Sequence, residues 1–187
     1  MTSRKIILFG PPGSGKSTLA RAISEKIGIK YISIGDLTRQ EMASGSKLGK
    51  NIKYYFDNKL DYPDELLLPL IEDLIIKNIN IGFIIDSYPK NKGEAQQLKK
   101  IAVKHKFILD LLIILEIDDA VVINRISRRN STRSDDTNEI AVNRLEYYRR
   151  HIVPLIEDIK QISEQKLILD SNEDPNKLLS KVLNICR

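Results

Sequence analysis

Residues 4–18 read Arg4-Lys-Ile-Ile-Leu-Phe-Gly-Pro-Pro-Gly-Ser-Gly-Lys-Ser-Thr18, and this stretch decides the fold. It joins a short apolar run to the pattern G-x-x-x-x-G-K-[ST], which begins at Gly10 and ends at Ser17. Glycines in this pattern let backbone N–H groups turn towards a phosphate, and the helix that follows adds its positive N-terminal end. A strand before the pattern and a helix after it distinguish a P-loop from a chance glycine turn. The segment predicts a P-loop that binds a nucleoside triphosphate.

The rest of the chain alternates short apolar runs with longer amphipathic stretches. Strands are predicted at 4–9, 81–86, 109–117 and 166–170, and helices at 17–27, 94–105, 118–129 and 137–162. Pro154 is expected to kink the last of these helices, and Asp174-Pro175 opens a terminal helix. Strands that are apolar on both faces and separated by helices belong to a parallel sheet covered on both sides. We therefore expect a three-layer α/β fold of the P-loop NTPase type, with about five parallel strands.

Composition and charge limit the possible classes of protein. The 187 residues suit one domain, and a composition of 42% hydrophobic and 29% charged residues argues against a disordered or fibrous protein. A net charge of +5 attracts anions but does not distinguish polynucleotides from small phosphates. No apolar run approaches the roughly 20 residues of a membrane helix, and the run at 6–9 is too short for a signal peptide, so we expect a cytoplasmic protein. The single cysteine, Cys186, cannot form an internal disulfide.

Three residues are candidates for the chemistry of the triphosphate site. Lys16 supplies a mobile positive charge between the β- and γ-phosphates, and the Ser17 hydroxyl can reach Mg²⁺. Asp86 ends a predicted buried strand, where doubly wound folds place their ligands, and this favours a carboxylate that orients Mg²⁺ over one that only caps a turn. A GTPase normally carries Asn-Lys-x-Asp after a strand, whereas this chain reads Glu116-Ile-Asp-Asp119. The sequence therefore disfavours a GTPase.

Four arginines are candidates for phosphate contacts, although the default expectation for such side chains is a solvated surface. Arg125 and Arg129 lie four residues apart and project from one face of a predicted helix. Arg133 follows in a polar loop, and Arg144 lies one helical stretch later. Spacing alone does not assign these four a role beyond the surface.

The arginines gain significance because the chain resembles the nucleoside monophosphate kinases, most closely the short-lid adenylate kinases and their UMP/CMP kinase relatives. The resemblance covers nearly the whole chain and is specific through the order and spacing of its segments. These are GPPGSGKST at 10–18, ISIGDLTR at 32–39, SGSKLG at 44–49, DEL at 64–66, GFIIDSYPK at 82–90, RSDD at 133–136, RLE-x-Y at 144–148 and PLI at 154–156.

The resemblance implies transfer of the γ-phosphoryl group of Mg·ATP to a nucleoside monophosphate, with AMP as the leading acceptor, and it assigns roles by position. The ATP-binding residues are Gly13, Ser14, Gly15, Lys16, Ser17, Thr18, Arg125 and Arg129. The monophosphate-binding residues are Ile34, Arg39, Leu60, Ser87, Tyr88, Lys90, Glu94, Arg133 and Arg144. The catalytic set is Lys16, Asp86, Arg129, Arg133 and Arg144, and Ser17 and Asp86 hold Mg²⁺, partly through water.

The resemblance also implies a single P-loop kinase domain, 1–187, with two excursions. The core covers 1–32, 63–124 and 138–187, the monophosphate-binding excursion about 33–62 and a short lid about 125–137. Closing lids, a known property of adenylate kinases that the resemblance carries over, exclude water from the reaction. Asp135 and Asp136 are expected to hold lid arginines or the ATP ribose. The lid lacks the cysteines that hold zinc in long-lid relatives, so no structural zinc is expected, and a monomer is the usual state of the family.

Three acceptor-side residues depart from the family pattern. Lys90 replaces an arginine, Ile34 replaces a threonine, and Glu94 stands where a glutamine reads adenine. An ionised glutamate only accepts hydrogen bonds, so it suits guanine or the amino group of cytosine better than adenine. Alternatively, Glu94 turns to solvent and AMP binds through shape. One extra residue at 59–64 is expected to reshape the loop that lines the base.

The sequence leaves other functions open. The acceptor could be CMP, UMP or GMP, or the chain could be an ATP-binding relative with weak transfer activity. Kinases for shikimate, gluconate or thymidylate are disfavoured by Arg39 and the segments at 86–90 and 133–136. Nucleic-acid binding is disfavoured because the cations fall at phosphate-ligand positions, and no membrane partner is expected. Tyr147 and Tyr148 are expected to serve only helix packing.

Overall fold

The structure, a computed structural model, describes residues 3–58, 60, 63–127 and 138–186. Five parallel strands form one sheet in the order β2-β3-β1-β4-β5. The strands are β1 (Lys5–Phe9), β2 (Lys30–Ser33), β3 (Phe83–Asp86), β4 (Leu109–Glu116) and β5 (Ser163–Asp170). The helices are α1 (Lys16–Ile27), α2 (Ile34–Ser44), α3 (Lys47–Asp57), α4 (Asp64–Asn78), α5 (Lys92–Lys104), α6 (Asp119–Ser127), α7 (Asn138–Tyr147), α8 (Val153–Lys160) and α9 (Pro175–Cys186), with a π-helix at Tyr148–Ile152.

Both faces of the sheet are buried against helices. Along β1, Ile6 and Leu8 belong to one hydrophobic cluster, and Ile7 and Phe9 belong to another. This alternation follows from the twofold repeat of a strand. Helices α1 and α9 cover the first face, and α3, α4, α5 and α8 contribute buried residues to the second. The predicted three-layer α/β architecture with five parallel strands is confirmed.

Two strands differ from their predicted bounds by more than one residue, for identifiable reasons. The strand predicted at 81–86 begins only at Phe83, because Gly82 has φ +99° and its N–H bonds the Asn78 carbonyl at the end of α4. The strand predicted at 166–170 begins at Ser163, because the register with β4 pairs Leu109 with Ser163. That extension is polar and lies at the sheet edge, so apolar patterning does not reveal it.

One edge of the sheet is formed by β2, which the sequence analysis did not assign as a strand. Its four residues pair in parallel with β3, and Ser33 lies beside Asp86 in the register. The run is short and includes the polar residues Lys30 and Ser33, so it carries little apolar signal. Its pairing nevertheless brings the start of α2 to the carboxyl end of the sheet.

The helix predicted at 137–162 is divided by a π-helical segment at Tyr148–Ile152, and a kink at Pro154 stays a prediction. The N–H of Val153 bonds the Tyr148 carbonyl, five residues earlier. Proline lacks an N–H and its ring crowds the carbonyl four residues before it, here that of Arg150. The wider hydrogen-bonded turn therefore precedes the proline and ends where α8 begins.

Helices α2 and α3 pack closely within the excursion predicted at 33–62. A Cβ atom added to Gly49 would lie 2.0 Å from the Glu41 carbonyl oxygen, so only glycine permits this approach. Tyr54 and Phe56 on α3 are exposed. Movement of this segment over a substrate stays a prediction. Among the helices in the described part of the chain, none is both long and apolar enough to cross a membrane.

Candidate functional site

A cavity of about 610 Å³ opens at the carboxyl ends of β1 and β3. Its walls include ten of the predicted site residues: Gly13, Gly15, Lys16, Ser17, Thr18, Arg39, Asp86, Ser87, Lys90 and Arg144. Cations from the P-loop, α2, the loop after β3 and α7 thus reach one space. The predicted residues Arg129, Arg133, Asp135 and Asp136 lie outside the described residues.

The loop between β1 and α1 has the backbone of a phosphate cradle. Gly13 and Gly15 have φ values of +78° and +86°, which disfavour residues with a Cβ. A Cβ on Gly10 would lie 2.8 Å from the Leu115 Cβ, so the loop also packs tightly on β4. The residue that caps α1 is Gly15, which has no side-chain cap, and this leaves the amides of the first turn for an anion.

Two P-loop side chains lie within the loop itself. The Lys16 ammonium donates to the Pro11 carbonyl oxygen at 2.7 Å, which holds the lysine stem along the cradle. Ser14 is 3% exposed, and its Oγ has no hydrogen-bond partner among the described residues. Ser14 does not line the cavity, and its N–H donates to the Pro11 carbonyl oxygen at 3.2 Å, so its contact with a phosphate stays a prediction.

Asp86 is the centre of the donor side of the cavity. Its side chain is 2% exposed, and its carboxylate accepts three hydroxyl hydrogen bonds. Ser17 Oγ donates to Oδ2 at 2.7 Å, Tyr31 Oη donates to Oδ2 at 3.3 Å, and Ser87 Oγ donates to Oδ1 at 3.0 Å. Carboxylate and hydroxyl oxygens are ligands that Mg²⁺ prefers, so Ser17 and Asp86 fit such an ion.

Tyr31 and Ser33 belong to the site but were missed by the sequence analysis. Both lie on β2, beside Asp86 on the neighbouring strand, and Ser33 lines the cavity. Burial and, second, the Asp86 carboxylate raise the pKa of Tyr31, so its hydroxyl remains protonated and donates. The carboxyl ends of parallel strands lie at one edge of the sheet, where ligands bind. This rule could have identified both residues, but only if β2 had first been recognised as a strand.

The acceptor side of the cavity is built on α2 and on the loop after β3. Arg39 donates a short hydrogen bond to Asp36, one turn earlier on α2. Ser33 caps this helix by accepting from the Asp36 N–H at 3.2 Å. Burial lowers the pKa of Lys90 below its ordinary value; the carboxylates of Glu94 and Asp86 oppose this shift, and Arg39 adds to it.

Glu94 is held by the backbone at the start of α5. Its Oε2 accepts from the Lys90 N–H at 2.7 Å, and its own N–H donates to the Asn91 side chain at 2.8 Å. This arrangement is close to a capping box, in which the third helical residue reaches back to the residues before the helix. In the structure, Glu94 therefore neither turns to solvent nor lines the cavity.

Three other predicted acceptor-side residues lie away from the cavity wall. Ile34 and Tyr88 are each 1% exposed and belong to the hydrophobic core. The Tyr88 hydroxyl donates to the Glu94 carbonyl oxygen at 3.3 Å. Leu60 is 50% exposed, and its N–H bonds the Tyr55 carbonyl. Their contact with an acceptor base stays a prediction.

On the donor side, Arg125 points to the loop after β5 rather than to the cavity. Its guanidinium donates to the Ser171 carbonyl oxygen at 2.9 Å. The cavity wall also includes Tyr147 and Tyr148, which were expected to serve only helix packing. Burial, with a smaller contribution from Glu116, raises the pKa of Tyr148 to about 12. Tyr147 is the last residue of α7 and Tyr148 the first of the π-helix.

Comparisons with known proteins agree on one family. A family model described as adenylate kinase matches residues 8–164. An adenylate kinase of Synechococcus sp. is 36% identical over 152 residues, which cover 81% of this chain and 82% of the relative. An adenylate kinase of Mycolicibacterium smegmatis is 37% identical over 164 residues, 85% of this chain and 90% of the relative. One from Stenotrophomonas maltophilia is 35% identical over 156 residues, 82% and 83% of the two chains.

Proposed function

The chain belongs to the adenylate kinase family, and from this membership we propose that it transfers the γ-phosphoryl group of Mg·ATP to AMP and so forms two ADP. It is therefore a phosphotransferase. The relatives' names favour AMP over CMP, UMP or GMP as the acceptor, and active transfer over a binding protein with weak activity.

The observation that carries the proposal is the convergence of cations from two sides on one cavity. Lys16 and the amides at the start of α1 come from the P-loop, while Arg39 and Lys90 come from α2 and the loop after β3. Arg144 lines the same cavity from α7. Two phosphate-bearing substrates could thus meet end to end, which is the positioning that phosphoryl transfer requires.

In the proposed reaction, the protein supplies charge and orientation rather than a general base. The attacking oxygen belongs to a phosphate that is already ionised near neutral pH, so it needs no proton acceptor. Lys16 and the loop amides would hold the ATP phosphates, and Arg39 and Lys90 the acceptor phosphate. Arg144 would stabilise the charge on the transferred group, with Arg129 and Arg133 proposed for the same task.

Ser17 and Asp86 would hold Mg²⁺, directly or through water, and the ion would neutralise charge on the ATP phosphates. Support comes from their oxygen atoms, which lie 2.7 Å apart beside the P-loop. The Ser17 hydroxyl donates a hydrogen bond to Asp86, so its oxygen lone pairs remain available to a cation. A monomeric state, a cytoplasmic location, and the absence of structural zinc and of nucleic-acid or membrane partners remain predictions.

The base preference of the acceptor site follows from the position of Glu94. One carboxylate oxygen is engaged by the Lys90 N–H, so we propose that Glu94 acts mainly by shaping the loop that carries Lys90. On this view the shape of the acceptor pocket selects AMP, rather than a hydrogen bond that Glu94 accepts from the base. The family membership and this contact together favour AMP despite the unusual glutamate.

A coupled assay with Mg·ATP against AMP, GMP, CMP and UMP tests the proposed function. We expect ADP formation with AMP at a kcat/KM at least about tenfold above that with the other three, a discrimination of the size that a few pocket contacts provide. ATP binding without formation of any nucleoside diphosphate would contradict the proposal. Preference for GMP or CMP would instead assign a base-reading role to Glu94.

Replacing Lys90 with arginine is expected to flatten the alkaline side of the pH profile. Because its pKa is lowered, Lys90 loses its proton, and with it the charge that binds the acceptor phosphate, at a lower pH than an ordinary lysine. In the wild type, kcat/KM for AMP should therefore fall as pH rises through that lowered value, whereas an arginine remains charged. The measurement is kcat/KM for AMP against pH, at saturating Mg·ATP. Identical alkaline limbs in Lys90→Arg and wild type would contradict this role.

A further inference from the structure

Tyr31 is in contact with both sides of the site, yet nothing in the reaction proposed above uses it. It lies on the edge strand β2, half-buried, with its hydroxyl 3.3 Å from Asp86 Oδ2. Its ring lies under the guanidinium of Arg21, whose central carbon is 5.2 Å from the ring centroid. Tyr31 thus contacts the Asp86 carboxylate through its hydroxyl and the Arg21 guanidinium through the face of its ring.

The hydroxyl of Tyr31 limits how the Asp86 carboxylate can rotate. Oδ2 accepts from both Ser17 and Tyr31, and Oδ1 accepts from Ser87. The donors approach from three elements: α1, β2 and the residue after β3. A carboxylate held at both oxygens presents a fixed orientation to a cation beside it. Ser17 and Ser87 line the cavity, whereas Tyr31 does not, so Tyr31 acts from behind the carboxylate.

The ring of Tyr31 connects to the acceptor side through Arg21. Arg21 Nη2 lies 3.1 Å from Asp36 Oδ2, and Asp36 Oδ1 accepts the short hydrogen bond from Arg39. Asp36 therefore bridges two arginines, one over the tyrosine ring and one on the cavity wall. These groups also line a second, outer cavity of about 450 Å³, so the bridge is open to solvent. Solvent screening makes this half of the network weaker than the hydrogen bond to buried Asp86.

We propose that Tyr31 is a positioning residue for both substrate phosphates: its hydroxyl orients Asp86 on the donor side, and its ring supports the Arg21–Asp36–Arg39 chain on the acceptor side. The proposal rests on the proposed adenylate kinase function. It assigns no contact between Tyr31 and a substrate. Its donor-side part and its acceptor-side part are tested by different variants.

Tyr31→Phe removes the hydroxyl and keeps the ring. We expect the enhancement of ATP affinity by Mg²⁺, measured by calorimetry with the ion and with a chelator, to fall about three- to tenfold, the size of effect that loss of one hydrogen bond of ordinary strength produces. ATP affinity in chelator and KM for AMP should remain within about twofold of wild type. An equal loss with and without Mg²⁺, or no change in the enhancement, would overturn the donor-side part.

Arg21→Gln removes the cation over the ring and leaves the hydroxyl in place. KM for AMP should rise about two- to fivefold, because exposed ion pairs contribute little, and the Mg²⁺ enhancement should be unchanged. Lys26→Gln is the matched control, since it removes one charge from the same helix at an exposed position and should leave both quantities unaltered. The acceptor-side part is overturned if Arg21→Gln and Lys26→Gln behave alike.

Calorimetry measures ATP binding rather than ADP formation, so this test does not depend on the proposed function. If the wild type bound Mg·ATP but formed no ADP, the function would fail while the effect of Tyr31→Phe on Mg²⁺ enhancement would still be measured. A thermal melt of each variant separates positioning from stability. A lowered melting temperature with an unchanged Mg²⁺ enhancement would mean that the Tyr31 hydroxyl is only structural, and this would overturn the proposal.

Discussion

Lys16→Gln is expected to lower kcat for ADP formation by about three orders of magnitude while the protein stays folded. The ammonium is the one full positive charge that the P-loop sequence places between the β- and γ-phosphates, where negative charge develops during transfer. Glutamine can still donate to the Pro11 carbonyl, which Lys16 does at 2.7 Å, so the loop should keep its shape. The measurement is the coupled ADP assay at saturating ATP and AMP, with circular dichroism to verify the fold.

The control for Lys16→Gln is Lys26→Gln, which removes a charge from an exposed position at the other end of α1. That variant should retain wild-type kcat. A fall of less than about tenfold in Lys16→Gln would contradict direct stabilisation of the transferred phosphate, since loss of one such donor usually costs about 10²-fold or more.

Asp86→Asn is expected to reduce kcat by about two orders of magnitude and to raise the Mg²⁺ concentration needed for half-maximal activity. Both carboxylate oxygens accept from hydroxyls of Ser17, Tyr31 and Ser87. The amide of asparagine would place an N–H₂ donor against at least one of these hydroxyls and would remove the negative charge that attracts the cation. The measurement is kcat as a function of free Mg²⁺ at a fixed ATP concentration.

A carboxylate at the opposite end of the sheet provides the matched control. Asp110, near the start of β4, accepts from the Lys5 N–H at 2.8 Å and from Arg4 at 3.3 Å. Asp110→Asn should lower stability by about 1 kcal/mol and leave the Mg²⁺ dependence unaltered. If Asp86→Asn and Asp110→Asn changed the Mg²⁺ dependence equally, the assignment of Asp86 to the metal side would be wrong.

The donor half of the site was largely predictable from local sequence. The P-loop is contiguous from Gly10 to Ser17. Its residues therefore lie close together regardless of how the rest of the chain folds. Asp86 was predictable because it ends a run of buried residues, and the carboxyl ends of parallel strands share one edge. In each case a short local pattern contained most of the geometric information.

The remaining contacts of the site, on both its donor and acceptor sides, were less predictable because they join residues that are distant in sequence or differ from the family pattern. Tyr31 is 55 residues from Asp86, and their contact depends on the pairing of the unassigned strand β2 with β3. Glu94 was expected to meet a base or solvent, whereas its carboxylate holds the Lys90 N–H. Such a choice among partners depends on the path of the loop, which residue type alone does not specify.

The sequence alone determined the three-layer α/β class, the P-loop and the family, because each is encoded in local periodicity or in ordered short segments. Tertiary structure alone decided which side chains surround Asp86, where the helix before Pro154 changes its hydrogen bonding, and which cations share the cavity. The physical reason is the separation in sequence between the residues that interact. A strand or a glycine turn is specified by neighbouring residues, whereas a hydrogen bond between strands or across a cavity exists only after the sheet has set their register and distance.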